Sequence, residues 1–307
     1  MADKINLNLL TGSIIIPTYN GARKIHHLMD CLLKQSFSNT EIIIVIDGST
    51  DDTEEVLEPY RVQFKNLKII KQINSGRSIV RNNGARASIG EVLIFYDDDM
   101  MPFPDSVENH MKFHAANRGI LCGHQIEDLE IGKTDIQNYK AWISKTWLDK
   151  YPGGVNLLKI DNLFFTASNC SFSKDVFLKL NGFNDTLSDC EDYDIALRAI
   201  QAGIPAFFDK GNRAIHDDKI TCVSYISRLR EYGREQKKIQ LSYGAPAVKR
   251  RNYAFIKGLV YKAFAYRVWA QLIDKGFFTF VYPKRLRYRL YSTIIQSLAN
   301  EHSTVPL

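Results

Sequence analysis

Four unbroken aliphatic runs punctuate the first hundred residues, and they restrict the fold more than any other feature of the chain. Ser13–Pro17, Glu41–Ile46, Leu67–Lys71 and Glu91–Phe95 each carry Ile, Leu, Val or Phe in succession, as in Ile42-Ile43-Ile44-Val45-Ile46. A strand covered on one face alternates apolar with polar residues, whereas an unbroken run marks a strand covered on both faces, as in a parallel sheet. The segments between the runs, Lys24–Gln35, Thr53–Lys65 and Arg77–Ser88, read as helices. Ile25, Leu28, Met29, Leu32 and Leu33 recur at helical spacing, and Asp51 with Glu54 three residues on marks a helix start. Strand–helix alternation of this kind predicts a doubly wound, mostly parallel α/β sheet.

The 307 residues, 45% apolar and 24% charged, suffice for one large domain and an appendage. Charge divides them. From Lys219 onward there are 17 Lys and Arg against 4 Asp and Glu, a net of +13, while the residues before it sum to −7. The expected organisation is therefore a catalytic domain over 1–218 and a basic, aromatic-rich helical extension over 219–307. No stretch approaches the ~18 consecutive apolar residues of a spanning helix, and Met1–Leu10 lacks the basic start and apolar run of a signal peptide. The expected location is the cytoplasm, or the inner face of the cell membrane. The five scattered cysteines form no CxxC or Cys/His cluster and read as reduced packing residues.

In an open α/β sheet, ligands sit beyond the carboxyl ends of the strands. Those ends read Pro17-Thr18-Tyr19-Asn20, then Asp47-Gly48-Ser49-Thr50-Asp51, then Asp97-Asp98-Asp99. No GxGxxG follows the first strand and no P-loop motif occurs, which excludes the commonest nucleotide fingerprints. Like charges ~4 Å apart repel by about 4 kcal/mol at an effective dielectric of ~20, so three adjacent aspartates call for a cation. Asp97 and Asp99, one residue apart, can both turn towards a hard ion such as Mg²⁺ or Mn²⁺; a solvated acidic turn is the other reading. Asp47-Gly48 is a hairpin signal in isolation, but a buried strand before it and a helix start after it favour a strand-to-helix loop.

At this point the chain resembles family-2 glycosyltransferases of the GT-A fold. The resemblance rests on Ser13-Ile14-Ile15-Ile16-Pro17-Thr18-Tyr19-Asn20, Asp47-Gly48-Ser49-Thr50-Asp51-Asp52-Thr53, Gly76-Arg77-Ser78-Ile79-Val80-Arg81-Asn82 with Gly84, and Phe95-Tyr96-Asp97-Asp98-Asp99. It implies that Pro17, Thr18 and Tyr19 line a nucleotide pocket, that Asp47 recognises the base, usually uracil, and that Asp97-Asp98-Asp99 is the metal-binding DxD motif. Asp97 would hold the ribose or a metal-bound water, with Asp98 beside it on the donor. Arg81 orients the nucleotide, or is a surface or helix-stabilising arginine. Ile46 stands where the family usually has a first aspartate before the glycine.

Farther on, Asn181-Gly182-Phe183-Asn184-Asp185, then Asp189-Cys190-Glu191-Asp192-Tyr193-Asp194, resembles the C-terminal catalytic segment of β-1,4-galactosyltransferases and chondroitin-type polymerases. The resemblance makes Asp192 the catalytic base and Glu191 its partner in the catalytic pair; Ser188-Asp189-Cys190 replaces the usual Trp-Gly-Gly. Independently of any family, Glu191, Asp192 and Asp194 suit a helix start, as N-terminal charges or as a general base on a fixed turn. His216, beyond a strand in Arg213-Ala214-Ile215-His216-Asp217, resembles the histidine that completes the metal shell, and Asn169 matches a segment facing the donor sugar or acceptor.

The implied function is metal-dependent, inverting transfer of a sugar from a nucleotide-diphosphate donor, a UDP-sugar by the resemblance, to a saccharide or lipid-linked acceptor, with Mn²⁺ or Mg²⁺ as cofactor. Two other readings stand beside it: a nucleotide-sugar-forming nucleotidyltransferase, and an inactive binding protein on the same fold. The nucleotidyltransferase expects a Gly-rich, Lys-containing loop after the first strand, which Pro17-Thr18-Tyr19-Asn20-Gly21 is not. The extension mixes Phe255, Ile256, Leu259, Val260, Phe264, Val268, Trp269 and Leu272 with clustered cations such as Lys249-Arg250-Arg251 and Lys284-Arg285-Leu286-Arg287. It suits an anionic membrane surface, or a helical subdomain packed on the catalytic domain or against a second subunit as a homo-oligomer contact, and lacks any recognised nucleic-acid-binding pattern.

Overall fold

The computed structural model describes Leu7 and residues 10–127, 133–243 and 255–300, with no side chains for 255–258. Lys249-Arg250-Arg251 lies outside the described residues. The strands are β1 (Gly12–Thr18), β2 (Thr40–Asp47), β3 (Leu67–Gln72), β4 (Val92–Tyr96), β5 (Met100–Pro102), β6 (Ile120–Glu127), β7 (Val155–Leu158), β8 (Asn169–Ser173) and β9 (Ala206–His216). The α-helices are α1 (Ile25–Leu32), α2 (Thr53–Leu57), α3 (Arg77–Ala87), α4 (Ser106–Ala116), α5 (Asp135–Leu148), α6 (Lys174–Lys179), α7 (Glu191–Gln201), α8 (Cys222–Tyr243), α9 (Phe255–Ala263), α10 (Arg267–Asp274) and α11 (Lys284–Ala299).

All strands join one mixed sheet in the order β3-β2-β1-β4-β8-β6-β9-β5, with β7 on β9. The four aliphatic runs form its parallel half, β3-β2-β1-β4. Ile14, Ile16, Ile42, Ile44, Ile94 and Tyr96 pack with α1 and α4 residues in one core cluster, while Ile43, Val45 and Val80 pack on the other side. Helices therefore cover both faces, and that is why these strands carry no polar alternation. The pairings of β4 with β8, β8 with β6, and β9 with β5 and β7 are antiparallel. The predicted helix over Thr53–Lys65 is shorter than the pattern suggested, α2 passing into a 3₁₀ turn at Glu58–Arg61 where Pro59 sits.

The chain divides into two compact units, Met1–Ile126 with Asp149–Asp217, and Glu127–Leu148 with Asp218–Leu307. The second unit thus includes α5, which the charge division alone had left in the first domain. Its core gathers Ile136 and Tyr139 of α5 with Ile226, Ala270, Ile273, Phe278, Tyr288, Tyr291, Ile294 and Leu298. Asp135 at the start of α5 accepts from Arg287 Nε and Nη2 at 2.6 and 2.8 Å and from the Tyr291 hydroxyl at 2.8 Å. Phe264, Trp269 and Leu272, read above as part of a surface mixture, pack against this core instead. All five cysteines are free, and four are buried.

Gly84 sets how closely α3 lies on the sheet, because a Cβ there would collide with Ile15 Cγ2 and come within 3.3 Å of Val45 Cγ2. Gly→Ala inside a helix ordinarily stabilises by about 1 kcal/mol. Gly84→Ala should do the reverse and cost about 1–3 kcal/mol through overpacking, read from urea unfolding.

Candidate active site

The carboxyl ends of β1, β2 and β4 come together through side chains that tie their loops. Asn20, in the left-handed region at φ 50°, donates its N–H to Ser49 Oγ and accepts from the Thr50 N–H at 2.8 Å. Gly21 N–H donates to Thr53 Oγ1, and Ala22 N–H to Asp51 Oδ2. Tyr19 is left exposed above this junction, with Pro17 half-buried and Thr18 buried. Asp47 is also buried: its Oδ1 accepts from Gln72 Nε2 at 2.7 Å and Ser75 N–H at 2.9 Å, and its Oδ2 from Gly76 N–H at 3.0 Å. The carboxylate at the end of β2 therefore shapes the loop that leads into α3.

Arg81 is neither a surface nor a merely helix-stabilising arginine; it is 4% exposed and joins two distant carboxylates. Its Nη1 donates to Glu191 Oε1 at 2.6 Å and its Nη2 to Asp97 Oδ1 at 2.5 Å, with the guanidinium carbon 5.7 Å from the Phe183 ring centre. Burial works against the charge, but Asp97 and Glu191 outweigh it and raise the pKa of the guanidinium. The next residue, Asn82, clamps the Gly182-Phe183 turn, donating to the Phe183 carbonyl at 2.8 Å and accepting from its N–H at 3.0 Å. Gly182 is required there: its φ is 65° and a Cβ would lie 2.6 Å from Asn82 Oδ1. Arg198 of α7 holds the same turn through the Gly182 carbonyl while paired with Asp194.

The three aspartates after β4 have three different surroundings. Asp97 faces Arg81. Asp98 points inward, against the reading that set it on the donor: Thr18 Oγ1 donates to it at 2.6 Å and Lys24 Nζ lies 2.7 Å away. Burial pushes the Asp98 carboxyl up to about 6 even with Lys24 opposing. Asp99 Oδ1 is buried and accepts no hydrogen bond; His216 Nε2 stands 3.5 Å from it. Although burial pushes Asp99 up, His216 and Lys24 hold it down to about 2. His216 is the last residue of β9, and the pairing of Met100 with His216 brings it to the acidic turn. The Gln125 amide nitrogen lies 2.5 Å from His216 Nδ1, and Ser168 Oγ donates to Gln125 Oε1 at 2.9 Å.

Asp192 occupies the first turn of α7, half-buried, accepting from Tyr193 N–H at 2.7 Å and Ala167 N–H at 3.4 Å. Burial and the neighbouring Glu191 raise its carboxyl to about 7. Cys190, before the pair, is held in the left-handed region at φ 64°, the conformation a glycine of the usual Trp-Gly-Gly adopts most readily. Asn169 is fully buried, and its amide meets His110 Nε2 at 2.8 Å and the Asn212 carbonyl at 3.4 Å. It belongs to the interior rather than to a surface a sugar reaches. Lys24, Asn82 and Gln125 were not singled out by sequence. A lysine at the N-terminus of α1 opposes the helix dipole, and that was the available sign of a nearby acid.

Among the described residues no three His, Cys, Asp or Glu side chains converge as a complete metal-binding set. The unsatisfied Asp99 oxygen and the His216 ring nevertheless fit an ion that takes two protein donors and fills its remaining positions with phosphate and water, as Mg²⁺ and Mn²⁺ do.

The sheet and the polar cluster at its carboxyl ends define an α/β scaffold, and comparison with known proteins bears on its class directly. The family model "Glycosyl transferase family 2" matches residues 13–180, and the chain belongs to that family. An uncharacterized glycosyltransferase of Haemophilus influenzae is 30% identical over 196 residues, 62% of each chain, so the match spans under two thirds of that relative. A glycosyltransferase of Rickettsia typhi is 25% identical over 227 residues, 72% of this chain and 68% of that one. Among solved structures, the mannosyltransferase PcManGT of Pyrobaculum calidifontis in complex with GDP-Man and Mn²⁺ superposes with TM-score 0.61 at 15% identity, covering 94% of this chain and 85% of that one. Staphylococcus aureus TarS with UDP-GlcNAc gives 0.55 at 14% identity, covering 94% and 90%. Both show the fold, a GT-A α/β sheet.

Removing the guanidinium strands buried charge. Arg81→Met should destabilise the protein by about 3–5 kcal/mol in urea unfolding, and Arg81→Lys should recover little of it because one ammonium cannot span both carboxylates.

Proposed function

We propose that this chain is an inverting glycosyltransferase that carries a sugar from a nucleoside diphosphate, uridine diphosphate by the family resemblance, to a hydroxyl of a saccharide or lipid-linked acceptor, in glycan synthesis at the inner face of the cell membrane. The observation that carries the reading is the Asp97–Arg81–Glu191 bridge, which fixes the first turn of α7 against the acidic turn after β4. Glu191 is committed to that bridge, and Asp192 remains as the carboxylate with a raised proton affinity.

In the proposed reaction the acceptor oxygen attacks the anomeric carbon from the face opposite the diphosphate. Asp192 takes the acceptor proton as the new bond forms and the bond to the diphosphate oxygen breaks. Pro17, Thr18, Tyr19 and the loop organised by Asp47 would receive the nucleotide, and Asp97, oriented by Arg81, its ribose. Asp99 and His216 would hold Mn²⁺ or Mg²⁺, which when bound offsets the charge developing on the leaving diphosphate. The +13 charge surplus from Lys219 onward suits work at an anionic membrane, and among the described residues no helix is long and apolar enough to cross one.

A panel of nucleotide sugars with Mn²⁺, scored for donor hydrolysis and transfer, tests the reading; consumption of none would overturn it. Asp192→Asn should keep donor affinity by calorimetry and lose about 10²–10⁴-fold in transfer. The base must be deprotonated, so its raised pKa predicts transfer that falls as pH drops through about 7, where an ordinary aspartate would hold to about 4. Asp99→Asn should weaken Mn²⁺ binding, read by electron paramagnetic resonance, and abolish turnover while leaving the melting transition in place.

A further inference from the structure

The link between α10 and α11 directs its aromatic residues two ways. Gly276, at φ 68°, turns the chain into a single 3₁₀ turn, Phe277–Thr279. Phe278 goes inward, 4% exposed, its ring against Trp269, Tyr282 and Tyr291. Its neighbours go outward: Phe280 is 93% exposed, Phe277 53%, Val281 52% and, in the first turn of α11, Leu286 55%. Phe278 closes this corner with the Phe277 ring edge-on against it at 5.5 Å, while Phe280 is left almost wholly to solvent.

The charge around these side chains has one sign. From Lys275 to Asn300 there is no Asp or Glu, and Lys275, Lys284, Arg285 and Arg289 are all exposed. Arg287 is the exception among the cations, being engaged by Asp135. Exposed aromatic and aliphatic tips ringed by lysine and arginine match a lipid interface, where rings enter the acyl boundary and cations meet phosphate. A second copy of the same patch would set cations against cations.

We propose that residues 275–286 form a membrane wedge, with Phe277, Phe280 and Val281 entering the interface of an anionic bilayer while Lys275, Lys284 and Arg285 contact its phosphates. This deepens the membrane-surface reading above and rests on it, by assigning the insertion to one turn rather than to the charge of the whole unit.

Flotation of the full chain with phosphatidylcholine vesicles, with and without phosphatidylglycerol, tests it. The wild type should co-float with the anionic vesicles, and Phe280→Ser should weaken that binding by about tenfold, the order expected for losing one inserted phenylalanine. Lys284→Glu with Arg285→Glu should remove the preference for phosphatidylglycerol. Both variants replace exposed side chains, so an unchanged melting transition and unchanged donor hydrolysis are expected. Wild-type binding that Phe280→Ser leaves intact would overturn the wedge and keep the broader membrane reading, whereas a wild type that ignores the vesicles would overturn both. A dimer in sedimentation that Phe280→Ser dissolves would assign the turn to a second copy instead. The transferase reading is independent, resting on the nucleotide-sugar panel.

Discussion

Much of the active-site region depends on one guanidinium in a dry position. Arg81 reaches from α3 to the acidic turn after β4 on one side and to the start of α7 on the other, with an aromatic ring against its face. Glu191 alone would be a poorly solvated negative charge, and without the arginine it and Asp97 would repel. A planar fork with separate donors answers both demands in a way a point charge cannot. The position of that fork is set one helical turn away, where the absence of a side chain at Gly84 lets α3 settle on Ile15.

The same accounting revises how the aspartate triplet is understood. Sequence alone offers a bound ion that Asp97 and Asp99 both face, or a solvated acidic turn. The protein's own cations already reach all three, Arg81 at Asp97 and Lys24 at Asp98 and, at 3.6 Å, at Asp99 Oδ2, and Asp99 Oδ1 alone is left unsatisfied beside His216. One motif therefore serves as brace and internal support at two positions and leaves an unsatisfied carboxylate oxygen at the third, because the turn closed by Met100 N–H to the Asp97 carbonyl sends the three side chains apart.

How much of this was legible differs between the halves of the sheet for a physical reason. Strands β1, β2 and β4 are buried on both faces by helices, so each had to be an aliphatic run; β3, at the edge, exposes Lys68 and Lys71 but keeps Leu67, Ile69 and Ile70 inward, and all four were readable within a residue or two. Strand β8, Asn169-Cys170-Ser171-Phe172-Ser173, is just as buried but half polar, because His110 and His114 of α4 hydrogen-bond its Asn169 and Ser171. Burial pushes those histidines down to about 4 and 3, so they sit there neutral, and a partner some sixty residues upstream leaves no periodic trace. The residues at strand ends, Asp47, Asp97, Asp99 and His216, were findable because topology fixes where strands end. What each carboxylate touches was not, since Arg81 and Glu191 are 110 positions apart.

The second unit is assembled from two stretches of chain, and this constrains how the protein can be made. Helix α5 leaves the ribosome long before its partners: Asp135 meets Arg287, 152 residues later. At about 5–20 residues per second, that helix waits roughly 8–30 s with Ile136 and Tyr139 uncovered and Asp135 unpaired. Nascent chains of this protein therefore pass through a stage in which a sheet domain can already be complete while carrying an adhesive loop, and a premature stop before α11 would leave that loop without Arg287, Tyr288 and Tyr291 to cover it.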